Sequence, residues 1–552
     1  MNLFLIDLRV VGEIRLFMRF LKIISVFLLC FMSFCCNAIF AQNKYELKDY
    51  MQLGIVAGMG DNAPFWIVSN RNGLSSIETN NGYVRYGIGI NGAIGRKGNW
   101  CYSSGLDLKI GYNHKYRPVV HQLYADVSYK WLTLSIGAKE RNAEMRSFCS
   151  LSGVNGNRIL NSFRFLALNG LGELGTGGLV YSGNSSPIPQ FYVGVPEYVT
   201  IKGTKSLLKL RGHISYGIFL DSRFQREFTL DNPQAKYNEY ALYHSKSFFM
   251  QVGNEKMFPL KLEAGLEMNM QFGGNIYTHS TGKYLSMPTR FKDFMMAFIP
   301  TGGDEAVPFT EQSNITGNQV GNWHLALTVD TKPVDVRLYG EHLFEDFSQL
   351  FFFEYQNNIN NKRTVVYYPW RDFMLGVSIK NKTGFLNFIS NIQYEYVSTY
   401  DQSGACYNDP NDYFIEQMDG LDNYYNHAIY SGWHYYGMGI GNPLLFSPLY
   451  NDDGSLEFKA NRMRAHNVGV NGAFGKKNEF LYRLLYTYSE NWGTYINPFF
   501  KKKYTTSLLA DFIYSPNDKS WLVSASVAYD RSNYIGNNFG VMLSFAKIGF
   551  LK

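Results

Sequence analysis

Cysteine and proline are scarce in this chain, with 6 and 17 residues among 552. Beyond residue 41 the cysteines are Cys101, Cys149 and Cys406. An odd and widely spaced set is no disulfide framework, although two of the three could still form one bridge. No C-x-x-C pair is present to hold zinc. No segment after residue 41 has eighteen consecutive apolar residues, so the sequence predicts no membrane-spanning helix.

Motifs that would indicate an enzyme are also missing. The sequence contains neither G-x-S-x-G nor H-E-x-x-H, and its ten histidines are scattered. Asp409, Asp412, Asp419 and Asp422 cluster without the spacing of an EF-hand, which is more typical of a solvated loop. We therefore predict no catalysis, no cofactor and no metal site. A Ser-His pair assembled from separate strands stays open as an alternative.

The charge balance gives no indication of a nucleic-acid partner. The formal charge of +7 falls to +5 without residues 1–41, which hold four basic and two acidic residues. Such a mild excess does not make a nucleic-acid-binding surface. Aromatic residues and glycine are the abundant types, with 41 Tyr, 42 Phe and 52 Gly. This composition is typical of long β-strands with aromatic side chains at membrane interfaces.

The amino-terminal region predicts a secretory signal peptide over residues 1–41. Arg19 and Lys22 precede an apolar run at 23–34, which is too short for a membrane helix. Small residues follow, and they place the cleavage site before Gln42. A lipoprotein signal is the alternative, but the large residue before the cysteine pair at 35–36 argues against it.

The segment at 261–273, KLEAGLEMNMQFG, shows the pattern on which the fold prediction depends. Apolar residues alternate with polar residues or glycine along its whole length. A period of two indicates a β-strand with one apolar and one polar face. The length exceeds the usual ~5–6 residues of a strand and matches the ~9–11 that a tilted strand needs to cross a bilayer. Such a strand fits either a soluble sandwich or a membrane barrel.

Repetition of this pattern favours the barrel. Alternating segments recur from residue 85 to the carboxyl end, with alternately short and long connections, which is typical of outer-membrane barrels. We predict an all-β fold for 42–552, a transmembrane antiparallel β-barrel of about 16–18 strands. Helical inserts are expected near 155–169, 288–299 and 340–350, and they could form a plug. Tryptophans at predicted strand edges fit an aromatic girdle, namely Trp100, Trp131, Trp323, Trp370 and Trp521.

The segment at 419–444 is the candidate binding site because aromatic and polar residues are interleaved there. Sugars present apolar faces ringed by hydroxyls, so aromatic platforms flanked by hydrogen-bonding groups hold them. An aromatic loop that simply packs in the barrel mouth is the alternative. The predicted carbohydrate ligands are Asp419, Asp422, Tyr424, Tyr425, His427 and Trp433.

Four segments together resemble the Wzi-like capsule assembly family of Gram-negative outer membranes. They are SGNSSPIPQ (182–190), PTRFKDFMMAF (288–298), GEHLFEDFSQLFFFEY (340–355) and DNYYNHAIYSGWHYYGMGIGNPL (422–444). The resemblance covers nearly the whole chain after residue 41. It implies an outer-membrane β-barrel, with helices blocking its periplasmic end, that holds capsular polysaccharide at the cell surface without catalysis.

Three functions remain in competition at this point. The first is a monomeric barrel in outer-membrane lipid that binds capsular or exopolysaccharide and assists capsule assembly or retention. The second is a passive diffusion porin, whose lumen would be lined by Arg85, Lys109, Arg211, Glu263 and Glu267. The third is a barrel enzyme that acts on lipid or glycan.

Overall fold

A computed structural model describes most of the chain from residue 45 onward. The described residues are 45–94, 99–114, 119–141, 174–254, 258–299, 304–308, 316–345, 350–351, 353–357, 363–367, 370–382, 388–402, 422–475, 479–516 and 520–550. The expected signal peptide at 1–41 and the helical insert expected near 155–169 lie outside these ranges. So do Cys149, Cys406 and Asp419.

Eighteen antiparallel strands form one closed barrel. Each strand pairs with its neighbours in sequence order, and the last strand pairs with the first. The prediction of an all-β antiparallel barrel is therefore confirmed, and the strand number falls within the expected range. The strands are β1 Tyr45–Met59, β2 Asn81–Ile94, β3 Trp100–Tyr112, β4 Val120–Tyr129, β5 Leu132–Ala138, β6 Gln190–Thr200, β7 Leu208–Ile218, β8 Leu242–Val252, β9 Leu260–Phe272, β10 Asn318–Asp330, β11 Val334–Glu345, β12 Phe373–Asn381, β13 Asn391–Ser398, β14 Met463–Phe474, β15 Phe480–Gly493, β16 Pro498–Tyr514, β17 Trp521–Ser532 and β18 Asn538–Ile548.

The alternation in the sequence becomes an alternation between the two sides of the barrel wall. On β9, Leu262 is exposed on the outer face, whereas Glu263 is buried on the inner face. On β10 the outward Leu325 is exposed, and Ala326 beside it is buried. The distribution of side chains on the wall is the reverse of that in a soluble protein, because apolar side chains face outward and polar ones inward.

The two ends of the barrel differ in the length of their connections. At one end the turns are short, such as the two residues between β4 and β5 and the three between β10 and β11. At the opposite end six connections are longer than twenty residues. In outer-membrane barrels the short turns are periplasmic and the long connections extracellular.

Three short helices and several short strands lie in the described parts of the long connections. The helices are α1 Phe65–Val68, α2 Ser222–Phe228 and α3 Phe291–Phe298, with a 3-10 turn at Pro448–Tyr450. No helix within the described ranges is both long and apolar enough to span a membrane. A three-stranded sheet joins Lys236–Glu239, Gly274–Thr278 and Lys283–Met287, and two hairpins pair Phe353–Asn357 with Arg363–Tyr367 and His434–Tyr435 with Met438–Gly439.

The prediction of a helical insert near 340–350 is wrong for the described first half of that segment. Residues 340–345 continue strand β11, and 346–349 lie outside the described ranges. The period of two continues through this segment, because Glu341 accepts hydrogen bonds inside the barrel while His342 lies on the outer face beside Trp370. That alternation, rather than the local charge of Glu345, decides the conformation.

Helix α3 lies where a helix was expected, within 288–299, but it packs on the outer wall rather than in the lumen. Phe294 contacts Phe272 and Tyr216, with ring centroids 5.2 and 5.4 Å apart. The Tyr216 hydroxyl donates to the Phe294 carbonyl at 2.8 Å, and Lys246 Nζ donates to the Ala297 carbonyl at 2.9 Å. Because these wall residues share the outward face of β7, β8 and β9, α3 is not part of a plug.

Candidate functional site

Long connections fold back into the barrel and fill the described part of its lumen. We call three of these segments the plug, namely residues 60–80, 174–189 and 422–462. They bring together one large apolar core, whose members include Ile67, Leu179, Val180, Trp433, Ile440, Leu445 and Phe458, all 0% exposed. The plug is therefore packed like a protein interior.

Carboxylates on the inner wall hold the plug through its backbone amides. Glu341 Oε2 accepts from the amide of Leu179 at 2.8 Å, and Glu395 Oε2 accepts from the amide of Thr176 at 2.6 Å. On the far side, Asp530 Oδ2 accepts from the amide of Phe65 at 2.8 Å. A buried carboxylate needs hydrogen-bond donors, and a buried loop amide needs an acceptor, so each satisfies the other.

Two of the polar residues that a porin would place along its channel, Arg85 and Lys109, are engaged inside the protein. Arg85 is buried and forms ion pairs with Asp107 and Glu140. Lys109 Nζ donates to the Gly73 carbonyl of the plug at 3.1 Å.

Asp107, His121 and Glu140 also come close enough to suggest a metal site. The Arg85 guanidinium pairs with both carboxylates and supplies the positive charge there, which favours an ion-pair network over a metal site.

The predicted carbohydrate ligands are mostly structural parts of the plug. Tyr424, Tyr425 and Trp433 are buried, whereas Asp422 and His427 are half-buried. The Tyr424 hydroxyl donates to Asp372 Oδ2 at 3.0 Å, and Trp433 Nε1 donates to the Val180 carbonyl at 2.9 Å.

Tyr425 is held on both sides of its hydroxyl, which donates to the Leu179 carbonyl and accepts from the Asn442 amide at 2.9 Å. Any side chain at Gly441 would collide with that hydroxyl. Because the rings of Tyr424, Tyr425 and Trp433 are covered, they cannot act as an exposed sugar platform. These three residues pack inside the barrel, as the alternative interpretation expected. The prediction that they bind sugar is therefore wrong.

Two buried titratable groups lie close to this segment and oppose each other in their response to pH. Burial lowers the pKa of His434 to about 3, and its Nε2 lies 3.1 Å from the Ser431 hydroxyl. Burial raises the pKa of Asp221 to about 6, although this carboxylate accepts from the Tyr436 amide at 2.9 Å. A neutral imidazole and a partly protonated carboxyl thus belong to the folded state near pH 6.

A half-buried aromatic surface lies beyond the end of β9, on the three-stranded sheet. The rings of Tyr237 and Tyr277 stack with centroids 5.1 Å apart and planes 11° from parallel. His279 adds a third ring, 4.9 Å from Tyr237. Glu239 pairs with Asn275 in the same register, and its carboxylate lies 4.0 Å from the Arg226 guanidinium. We call these residues the tyrosine face: Arg226, Tyr237, Glu239, Asn275, Tyr277 and His279.

The other side of that sheet anchors it to the plug. Asn238 Nδ2 donates to the Ser431 hydroxyl at 3.0 Å, and Ile276 is buried. Alternation therefore directs Tyr237 and Tyr277 away from the plug, at the end that carries the long connections. Sequence reasoning missed this surface because its strands have four or five residues and are separated by some 35 positions.

Solved structures with a similar fold are outer-membrane β-barrels. Wzi of Escherichia coli, described as an outer-membrane protein involved in group 1 capsule assembly and a carbohydrate-binding β-barrel, matches with a TM-score of 0.50 and 12% identity over 90% of this chain and 83% of its own. OccK3 of Pseudomonas aeruginosa matches with a TM-score of 0.41 and 10% identity over 91% and 95%. No family model and no curated protein sequence matches the chain. At these identities the similarity establishes the fold, that of an outer-membrane β-barrel.

Proposed function

We propose that this protein resides in the outer membrane, binds capsular or other surface polysaccharide, and assists capsule assembly or retention. The observation that carries the proposal is the filled lumen, in which inner-wall carboxylates hold plug amides. Groups used in this way do not line an open path for solutes. The similarity in fold to Wzi, a carbohydrate-binding barrel, supports the same function.

The outer wall supports the membrane location. Phe248, Leu262, Leu325, Leu338 and Leu375 are all exposed there, on five neighbouring strands. A contiguous apolar surface of this kind is stable only against lipid or another protein. Five adjacent strands that expose apolar residues at similar depth form the band that acyl chains contact.

The tyrosine face is our proposed contact surface for the polysaccharide. Two stacked rings offer the apolar platform on which a sugar ring packs, and the neighbouring carboxylate, amide and guanidinium offer acceptors and donors for hydroxyls. Its position at the end with the long connections makes it reachable from the cell exterior. The half-buried Asp422 and His427 lie in the adjoining connection, and Lys236 Nζ donates to the His427 carbonyl at 2.8 Å.

The experiment compares retained capsule in a deletion strain complemented with wild type or with Tyr237→Ala/Tyr277→Ala. We expect the double variant to release polymer into the medium while total polymer is unchanged. Tyr45→Ala/Tyr129→Ala is the matched control, because these exposed tyrosines lie at the short-turn end. Loss of polymer synthesis, or equal release by the control, would contradict the proposal.

Binding without catalysis is part of the same proposal. Purified protein incubated with the polysaccharide should retain it on a glycan array and leave its chain length unchanged by size-exclusion chromatography. Shortened products that disappear on substitution of one serine or histidine would establish the enzyme alternative instead.

A further inference from the structure

A cluster of cations lies on the outward face of β14 to β17, near the end with the long connections. We call it the basic rim. It consists of Arg462, the last residue of the plug directly before β14, with Arg464 on β14, Lys502 on β16 and Arg531 on β17. Arg464 and Arg531 are exposed, and Arg462 and Lys502 are half-buried.

Strand register shows that these side chains share one surface. Arg464 pairs with Glu490, and Glu490 pairs with Tyr504 on the following strand. Lys502 lies two residues before Tyr504 and therefore on the same face. On the next strand Arg531 pairs with Thr506. The inward neighbours, such as Ala465 and Thr505, are buried. Since adjacent strands are about 4.8 Å apart, the cations fall within reach of one ligand.

Aromatic rings hold the cations in place. The Arg464 guanidinium lies 4.3 Å from the centroid of the Tyr400 ring, and the Arg462 guanidinium lies 4.8 Å from the same centroid. Lys502 Nζ lies 5.0 Å from the Tyr504 ring. Cations positioned in this way lose little side-chain freedom when they bind an anion.

Within the described part of the chain, one carboxylate, Glu490, lies among these four cations, and it already has partners. Its Oε1 accepts from Lys502 Nζ at 3.1 Å and from the Tyr488 hydroxyl at 3.0 Å. The remaining positive charge of the three arginines is therefore available to an external anion.

The apolar outer wall begins directly below the basic rim. Val468, Tyr486, Leu508 and Val527 are exposed on the same four strands, nearer the short-turn end. The basic rim thus lies at the depth where acyl chains end and lipid head groups begin. We propose that it binds the phosphate groups of a phosphorylated glycolipid in the outer leaflet.

Phosphate fits this surface better than a polysaccharide carboxylate does. Three of the four cations are arginines, whose guanidinium groups bind phosphate and carboxylate oxygens alike in a bidentate manner, so the position of the surface decides between them. A lipid head group reaches the outer wall from the side, next to the acyl band, whereas surface polymer approaches from the end of the barrel. The inference rests on the outer-membrane location in our proposed function and is independent of polysaccharide binding.

The test is native mass spectrometry of full-length protein in detergent with diphosphorylated lipid A, and with the same lipid after dephosphorylation. Wild type should retain the phosphorylated lipid and should bind the dephosphorylated lipid at least tenfold more weakly. Arg462→Gln/Arg464→Gln/Arg531→Gln should weaken retention of the phosphorylated lipid by on the order of a hundredfold, since each of the three interfacial cations contributes about fivefold. Lys130→Gln/Lys202→Gln/Lys205→Gln removes the same charge at the short-turn end and should behave as wild type.

Several outcomes would overturn the inference. Equal retention of the two lipids would indicate apolar binding alone, and equal loss in both triple variants would indicate unspecific charge. Full competition by millimolar inorganic phosphate would indicate a site for the free anion. If the arginine triple variant fails to fold by heat-modified mobility, Arg464→Gln alone should show a severalfold loss. Polysaccharide binding is absent from the assay, so failure here leaves the proposed function untouched.

Discussion

Two aromatic regions of this protein have similar composition and opposite surroundings. In the plug, Tyr424, Tyr425 and Trp433 are buried, and the polar atom of each donates a hydrogen bond inside the protein. On the tyrosine face, Tyr237 and Tyr277 stack on each other and are only half-buried. A high density of aromatic residues thus indicates a packing surface, and the burial of the rings decides whether that surface lies inside the protein or is accessible to a ligand.

Removing the largest ring of the plug should have the strongest effect. Trp433→Ala leaves a cavity and an unpaired Val180 carbonyl, which should cost about 3–5 kcal/mol of plug stability. We expect faster hydrogen exchange in residues 422–450 while the barrel strands stay protected. Trp131→Ala is the control, because that exposed ring lies at the short-turn end. Unchanged exchange in the plug would contradict its assignment as a packed core.

Acid should loosen the same segment through His434. Its folded pKa of about 3 lies below the ordinary 6.5, so the stability it contributes is complete above pH 6.5 and is lost as the pH falls toward 3. At pH 5 the loss should be about 2 kcal/mol, at about 1.4 kcal/mol per pH unit. His434→Gln should remove this dependence in hydrogen exchange measured at pH 7.5 and pH 5. The same pH dependence in wild type and variant would contradict this role of His434.

Asp221 should act in the opposite direction. Its pKa is raised to about 6, so the folded state binds a proton more tightly, and stability falls as the pH rises through this value. Asp221→Asn should remove a contribution of about 1–2 kcal/mol between pH 5 and pH 7.5. In exchange measurements this variant should therefore be more sensitive to acid than wild type. A variant less sensitive to acid would contradict the assignment.

Contacts between wall and plug should show an effect similar in size to that of Asp221. Glu341→Leu removes the acceptor of the Leu179 amide and of Asn322 Nδ2, both at 2.8 Å, and should cost about 1–3 kcal/mol. Glu341→Gln keeps an acceptor at the same place and should cost less. Local exchange at residues 174–189 measures both variants, and equal effects would show that the hydrogen bond is unimportant.

The tyrosine face should show the smallest effect on stability and a clear effect on ligand binding. Tyr237→Phe keeps the stacked ring, so polysaccharide affinity should fall by no more than about threefold. Tyr237→Ala removes the platform and should cost about tenfold, since an aromatic contact is worth about 1 kcal/mol or more. Plug exchange should be unchanged in both variants. Equal affinities in both would remove the face from the binding site.

The barrel could be predicted from sequence because a period of two persists over whole strands such as β9. The side on which a helix packs could not, because the apolar stripe of α3 fits an outer wall as well as a lumen. The burial of Tyr424, Tyr425 and Trp433 could not be predicted either. Their partners Asp372, Leu179 and Val180 are more than fifty residues away in the sequence. The tyrosine face needs the pairing of Tyr237 with Tyr277, which short strands do not reveal.

The proposed function depends most on the plug closing the barrel to solutes. Planar-bilayer conductance of the purified wild-type protein tests it directly. We predict no steady conductance, with openings appearing in Trp433→Ala. A steady open pore of porin size in the wild type would contradict the account and would favour a diffusion channel.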